Sequence, residues 1–325
     1  METKAQFYIE RHRIGSDGHG VRTLVTFTGC PLDCKYCLNE HLKKETPDGK
    51  WYTPRELLDE LSLDQYYFLA SGGGITFGGG EPLLRGDFIR EFCELCKQEK
   101  GWSINIETSL NVPLYDIEQV APFVDTFIVD IKDLNPEIYS RYTQGSVNIV
   151  YANLDYLKDV AIRDYDCSVI VRIPTIPGFN TQEDIDKTVK IMEERYEGLF
   201  SLNFFEYYKD KKDVPEADGK KICRILKTIR RGLIEENGLS IVQPRCTHKG
   251  NCPGTCPACE SELAAINQAI GDEGDYYAAA LKVKRYGGDL SFGAENQNNN
   301  IHITMGLPQV LGDLKIMEPT YPKDK

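Results

Sequence analysis

Hydrophobic positions along the chain follow two alternating rhythms. Short runs rich in β-branched and aromatic residues occur at 22–27, 74–77, 103–107, 126–131, 168–173 and 202–207, and each reads as a buried strand. Between them, apolar residues recur at helical spacing over 87–100, 114–120, 149–157 and 182–197. Thr53-Pro54 followed by Glu56 and a periodic stretch to Leu63 reads as an N-capped helix with proline in its first turn. Strands alternating with helices predict an α/β fold around a parallel sheet, open or closed into a barrel.

The rhythm changes near Val242. Residues 246–259 are dense in Cys, Pro and Gly, and a helical stretch rich in Ala and Tyr follows to about Tyr286. After Gly287-Gly288 come a polar segment with Asn296, Gln297, Asn298, Asn299 and Asn300, a short apolar run at 301–305 and a Pro-rich end. Three regions are expected: a core over 1–242, a cysteine-rich segment over 243–265, and a helical stretch with a tail over 266–325. A chain of 325 residues can build one large domain and a smaller appendage.

Composition narrows the function. A formal charge of −12 argues against phosphate-backbone binding, which needs clustered Lys and Arg, so no nucleic-acid partner is expected. The first nine residues alternate polar and apolar positions and lack the features of a secretion signal, and no window approaches the roughly 20 apolar residues of a membrane span. The expectation is a cytoplasmic protein without a membrane partner. Eleven cysteines there imply reduced thiols, whose spacing points to metal ligation in a reducing, anaerobic setting.

Cys30-Pro-Leu-Asp-Cys34-Lys-Tyr-Cys37 stands at the end of an expected strand, where α/β sheets and barrels place chemistry. Three thiolates can hold three irons of a cubane and leave the fourth open to a ligand, unlike the four-thiolate ligation of an electron-transfer cluster. The spacing alone also allows a structural zinc site short of one ligand, or buried free thiols. Gly78-Gly79-Gly80-Glu81-Pro82 follows a second strand, and such a run lets a ligand approach the backbone closely.

Together these motifs resemble the radical S-adenosylmethionine superfamily. The flanks narrow the resemblance. Ser16-Asp17-Gly18-His19-Gly20-Val21-Arg22, Gly29 through Leu32, Asn39, Asp64 with Tyr67, the run 71–84, Asp130-Ile-Lys132, Gly145 with Asn148, Asn153-Leu154, and Arg172 with Pro177-Gly178 occur in the order seen in glycyl radical enzyme activating enzymes. The match covers roughly residues 11–210.

That resemblance implies a partial (βα)6 barrel. It also implies that Cys30, Cys34 and Cys37 hold a [4Fe–4S] cluster, that Tyr36 contacts the adenine of S-adenosylmethionine, and that Glu81 with Gly79 and Gly80 takes its amino group. By the same resemblance Lys132 and Arg172 hold the carboxylate or ribose side, and Glu107, Thr108 and Asp130 stand where activating enzymes place a monovalent cation. The implied partners are a polypeptide substrate and a flavodoxin or ferredoxin reductant. Lys132 and Arg172 could instead simply pair with Glu107 or Asp130. His19, Gly78 and the segment Phe205-Glu206-Tyr207-Tyr208 depart from the family's usual Pro, Ser and His.

Cys246-x5-Cys252-x3-Cys256-x2-Cys259 offers four thiolates, which suits a second [4Fe–4S] cluster or a structural Zn²⁺, with His248 as an additional ligand or an exposed loop residue. Cys93, Cys96, Cys167 and Cys223 read as buried small hydrophobes. Two activities fit: activation of a glycyl radical enzyme, or modification of a ribosomally made precursor peptide or another protein, for which cysteines placed after the barrel are typical. An iron–sulfur electron carrier or zinc-binding interaction protein is a third class, disfavoured by the open-site cysteines and the glycine run.

Overall fold

The computed structural model describes residues 3–45, 50–163, 167–207, 219–243, 246, 256–271, 278–280 and 315–317. Two antiparallel strands open the chain, β1 (Ala5–Ile14) and β2 (Val21–Phe27), and β3 (Trp51–Tyr52) pairs with the start of β1. Then come α1 (Pro54–Leu61), α2 (Gln65–Ser71), β4 (Gly74–Gly79), α3 (Gly86–Glu99), β5 (Ser103–Thr108), α4 (Leu114–Glu118) and β6 (Thr126–Asp130). The second half runs through α5 (Pro136–Thr143), α6 (Val147–Arg163), β7 (Ser168–Thr175), α7 (Gln182–Tyr196), β8 (Ser201–Glu206), α8 (Gly219–Glu236), α9 (Pro257–Ile270) and β9 (Lys315–Met317).

Strands β2, β4, β5, β6, β7 and β8 lie side by side, all parallel. These are the six strands expected, each within two residues of its expected ends. Antiparallel strands continue the row at both sides, β1 beyond β2 and β9 beyond β8, so the curved sheet is a partial barrel. The side chains of Ile75, Phe77, Ile104, Ile106, Phe127, Val129 and Val171 alternate onto the outer face and pack under the helices in the main core. The inner face carries polar side chains, among them Arg22, Thr76, Asn105 and Arg172, beside the apolar Leu24 and Ile128.

A loop between β1 and β2 plugs the inner face at its N-terminal end. Thr76 and Asn105 donate to the Asp17 carbonyl at 2.8 and 3.0 Å, and Arg172 reaches the Ser16 carbonyl. Gly18 takes φ +113°, and a Cβ there would lie 2.1 Å from Asn105 Nδ2, so only glycine fits. The Ser16–Gly20 motif therefore has a structural role in this chain.

A second, smaller core lies beyond the plugged end. Leu226, Ile229 and Leu233 of α8 and Leu263 and Ile266 of α9 pack on Val21, Tyr66, Tyr67 and Ala70. Three helices have no counterpart in the elements expected from sequence: α2, α5 and α8. Helix α9 starts inside the expected cysteine knot and crosses the boundary placed at 265, while the tail returns an edge strand, β9, to the sheet. Among the described residues no helix is long and apolar enough to cross a membrane.

The loop after β5 lies at the C-terminal end of the barrel, and α6 holds it. Asn153, fully buried, donates 2.8 Å hydrogen bonds to both the Leu110 and Val112 carbonyls. Replacing Asn153 with Ala leaves two buried acceptors unpaired, which costs about 1–3 kcal/mol. Anaerobic thermal unfolding should show the midpoint falling by roughly 2–4 °C per kcal/mol; an unchanged midpoint would mean water replaces the amide.

Candidate active site

The C-terminal ends of the parallel strands surround a cleft open to solvent. Five of the six strand ends contribute. The loop after β2 supplies Cys34, Tyr36, Cys37 and Asn39; β4 ends in Gly79 and Gly80; β5 in Glu107, Thr108 and Ser109; β6 leads to Asp130 and Lys132. Tyr142 from the end of α5 and Tyr207 just after β8 close the wall.

The cysteine loop has no regular structure around its thiols, so tethers hold it. Asp33 and Lys35 amides donate to the Thr143 and Tyr142 carbonyls, the Gly29 amide to the Leu42 carbonyl, and Asn39 Nδ2 to the Gly79 carbonyl at 2.8 Å. All three cysteines are free and half-buried. Burial pushes the Cys30 thiol up to about 12. Burial likewise raises Cys34, with the nearby Lys132 ammonium partly offsetting it. Cys34 and Cys37 line the cleft, while Cys30 sits behind them, near enough for its charge to interact with both.

Among the described residues no group of three His, Cys, Asp or Glu side chains converges tightly enough to hold a single metal ion. A cubane asks for something else, because each thiolate holds a different iron and the sulfurs stand apart. Three free thiols on one tethered loop, two of them facing a cleft, fit that demand.

The glycines meet a packing requirement as well as any ligand. A Cβ on Gly80 would lie 2.1 Å from the Gly29 carbonyl oxygen, a backbone atom that cannot step aside. The Gly80 and Glu81 amides close this contact by donating to the Phe27 and Gly29 carbonyls.

Glu81 lies just behind the glycines. It is fully buried and absent from the cleft wall. Its carboxylate accepts from Thr108 Oγ at 2.8 Å, Ser109 Oγ at 2.6 Å, and the Ser109 and Leu83 amides at 2.9 and 3.3 Å. Burial raises its carboxyl above the ordinary range even against these donors. The side chain clasps the end of β4 to the end of β5 and leaves the glycine backbone facing the cleft.

Arg172 also lies behind the cleft wall. Its guanidinium pairs with Glu107, approaches Asp130 Oδ1 at 3.7 Å, and donates to the Ser16 carbonyl. Lys132 does face the cleft, donating to Asp130 Oδ2 at 3.1 Å and to the Tyr207 hydroxyl at 2.7 Å. Burial opposes its charge, but the Asp130 carboxylate holds the ammonium well above its ordinary value. Asp130 is lowered against burial by Lys132 and Arg172, and Glu107 is raised by burial despite Arg172. The pairing that the sequence left open for Lys132 and Arg172 is thus present, and Thr108 spends its hydroxyl on Glu81.

Tyr36, Tyr142, Phe179 and Tyr207 gather around Cys34 in a small apolar cluster, with Tyr36 edge-on to Tyr142 and Phe179. Tyr142, Ser109 and the use of Tyr207 escaped the sequence reading. Tyr207 had one signal: it lies in the segment 205–208, which lacks the His that the resemblance implies after the last matched strand.

Of the C-terminal cysteines, Cys256 and Cys259 are together, their sulfurs 3.7 Å apart; Cys246 is exposed, and Cys252 and His248 lie outside the described residues. The amide of Cys259 lowers the Cys256 thiol, while burial raises Cys259 to about 11.

The chain is 36% identical over 132 residues to the (2S)-3-sulfopropanediol dehydratase activating enzyme of Klebsiella oxytoca, covering 41% of this chain and 40% of that one. It is 32% identical over 170 residues to pyruvate formate-lyase 1-activating enzyme of Escherichia coli K12, covering 52% and 66%. With pyruvate formate-lyase-activating enzyme of Clostridium pasteurianum it shares 32% identity over 180 residues, covering 54% and 71%. The chain thus spans between two fifths and two thirds of the first two relatives. Residues 24–192, from β2 through most of α7, match the radical SAM superfamily model, and with the cleft at the ends of six parallel strands this makes the chain a member of that superfamily, whose chemistry uses a [4Fe–4S] cluster and S-adenosylmethionine.

Proposed function

We propose that this chain cleaves S-adenosylmethionine reductively and takes a hydrogen atom from a glycine of a partner polypeptide, activating a glycyl radical enzyme. One observation carries the reading: Cys34 and Cys37 open onto the same cleft as the Gly79–Gly80 backbone and the Lys132 ammonium. The relatives named as activating enzymes supply the polypeptide part of it. Cys30, Cys34 and Cys37 would hold the cluster, which would supply the electron for reductive cleavage of S-adenosylmethionine.

The chain's own residues bind and orient. Carbonyl groups of Gly79 and Gly80 would accept from the cofactor's amino group, held in place by the Glu81 clasp. Lys132 would donate to its carboxylate while keeping Asp130 as counter-charge. Tyr36 would stack on the adenine within the aromatic cluster and exclude water. Arg172 acts at one remove, fixing Glu107 and Asp130. A monovalent cation would sit beside Glu107, Thr108 and Asp130, at oxygens other than the Thr108 hydroxyl that Glu81 occupies. A flavodoxin or ferredoxin would deliver the electron, and the C-terminal cysteines Cys246, Cys252, Cys256 and Cys259 would carry a second metal centre.

Anaerobically reconstituted protein with dithionite should turn S-adenosylmethionine into 5′-deoxyadenosine, and Cys34→Ala should abolish product. Undiminished turnover by that variant would overturn the cluster assignment. With a glycyl radical enzyme present, a glycine-centred doublet should grow in the paramagnetic resonance spectrum as 5′-deoxyadenosine accumulates; cleavage without that doublet for any such enzyme would remove the activase reading and leave the cleavage.

The two cations should separate in binding experiments. Lys132→Ala loses one charge-assisted contact of roughly 1.5–3 kcal/mol, about 10- to 150-fold in Kd at 1.4 kcal/mol per decade, with iron content unchanged. Arg172→Ala strands Glu107 and Asp130 without their shared cation, so its first effect should be on thermal stability. Equal, pure binding losses in both variants would place Arg172 against the cofactor after all.

A further inference from the structure

Exposed apolar side chains gather at one side of the barrel's mouth. Among the described residues nine large hydrophobic side chains are exposed, and four of them, Leu84, Leu114, Tyr115 and Ile149, stand on neighbouring elements. A single exposed apolar residue needs no explanation, but a contiguous group does. Leu84 lies in the turn Pro82–Arg85 after β4, Leu114 and Tyr115 open α4 after β5, and Ile149 stands in the first turn of α6. Helix α4 packs against the Pro82–Arg85 turn on one side and against α6 on the other, so the three pieces form one strip. Asn111, in the loop before α4, donates to the Ser146 carbonyl at 2.7 Å and fixes the corner where α6 begins.

Both ends of the strip meet the cysteine loop. Leu84 Cδ1 lies 3.8 Å from the place a Cβ on Gly29 would take, and Leu32 Cδ2 lies 2.4 Å from that of Gly145. Leu32 lines the cleft, as does Ser109 in the loop that leads to α4. The strip is therefore continuous with the opening through which a polypeptide must pass a glycine into the cleft. Tyr115 is its most prominent member, 66% exposed.

Charge narrows the kind of chain that fits. Asp87, three positions after Leu84, and Asp116 and Glu118 of α4 border the strip, with Glu118 one turn from Leu114 on the same helix face. Burial and the neighbouring Asp87 both raise the Asp116 carboxyl. Among the described residues none of the three carboxylates is in an ion pair, because Arg85 is spent on Glu45 and Arg90 on Glu94 at 2.8 Å. An apolar strip with an acidic border attracts an apolar segment that carries Lys or Arg and repels an acidic one. An electron carrier that docks through its own carboxylates would meet like charge here, so the strip suits the substrate and not the reductant.

Resting on the reading that a partner polypeptide brings its glycine to this cleft, we propose that Leu84, Leu114, Tyr115 and Ile149 are the docking strip for that polypeptide, and that the segment they receive is apolar with Lys or Arg beside it. The strip holds the partner on the β4–β5 side of the mouth, with Tyr115 as the anchor, while the cleft receives the glycine.

The test takes the anaerobically reconstituted full chain with the glycyl radical enzyme that yields the glycine-centred doublet. It measures KM and kcat for that enzyme, and the 5′-deoxyadenosine released without it. Leu114→Ser/Tyr115→Ser should raise KM roughly tenfold or more, with kcat and partner-free cleavage unchanged. Ile162→Ser/Leu199→Ser, also exposed and apolar but at the far end of the barrel, should leave KM within about twofold. Asp87→Lys/Asp116→Lys should raise KM at low salt and remove the weakening that added salt causes in the native chain. If the double serine variant fails to fold, Tyr115→Ala alone carries the same expectation. An unchanged KM in the Tyr115 variants, or a KM raised for the reductant instead, would overturn the inference while activation itself stands. Tighter binding by the charge-reversed chain would overturn the basic character of the partner segment. If no glycyl radical enzyme yields the doublet, the activase reading fails and the strip loses its occupant with it.

Discussion

One buried carboxylate holds the working end of this fold together. Glu81 has no contact with solvent, and its two oxygens collect donors from Thr108, Ser109 and Leu83 while its own amide reaches back to Gly29. Three strand ends therefore meet at one residue: the cysteine loop after β2, the glycines of β4 and the turn after β5. A buried carboxylate is costly unless every lone pair is used. The surrounding donors satisfy that demand, so the residue fixes geometry without facing the cleft.

The charges beside it follow from the same constraint. Glu107, Asp130 and Asp17 face the barrel interior, where isolated carboxylates would not stay ionised, and Arg172, Arg13 and Lys132 are set among them. Arg172 bridges two of the carboxylates and reaches the plug at Ser16, so the floor of the cleft is tied to the closed end of the barrel. Lys132 alone is offered upward, shared between Asp130 and Tyr207. An entering carboxylate meets an ammonium already held charged and oriented, which lowers the ordering needed on binding.

These features were unequally legible in the sequence. The six strands could be read because parallel strands buried on their outer face are written as β-branched and aromatic runs, and the cysteines and glycines lie in short contiguous motifs. Arg230 had no such local signal: it matters only because α8 folds back across α2, a contact spanning more than 160 positions. The amphipathic spacing of Ile222, Ile225, Ile229 and Leu233 was present in α8, but Lys and Arg between these positions obscured it. Glu81 was visible as a motif residue, yet its burial depends on Thr108 and Ser109 from another strand. Sequence named the residue, and only the packing gave its role.

The two cysteine motifs differ in backbone. Cys30, Cys34 and Cys37 ride on an irregular loop whose shape is imposed by tethers to β4 and α5, so the thiols can spread over a polynuclear cluster and leave one position open. Cys256 and Cys259 ride on the first turn of a helix, where residues three apart share a face and their sulfurs converge. The proline between them suits a helix start. A loop suits a cofactor that must be reached; the helix turn instead packs under Arg230, whose Nη2 lies 3.6 Å from Cys259 Sγ. The placement agrees, with the first motif at the mouth of the barrel and the second beneath a core of its own.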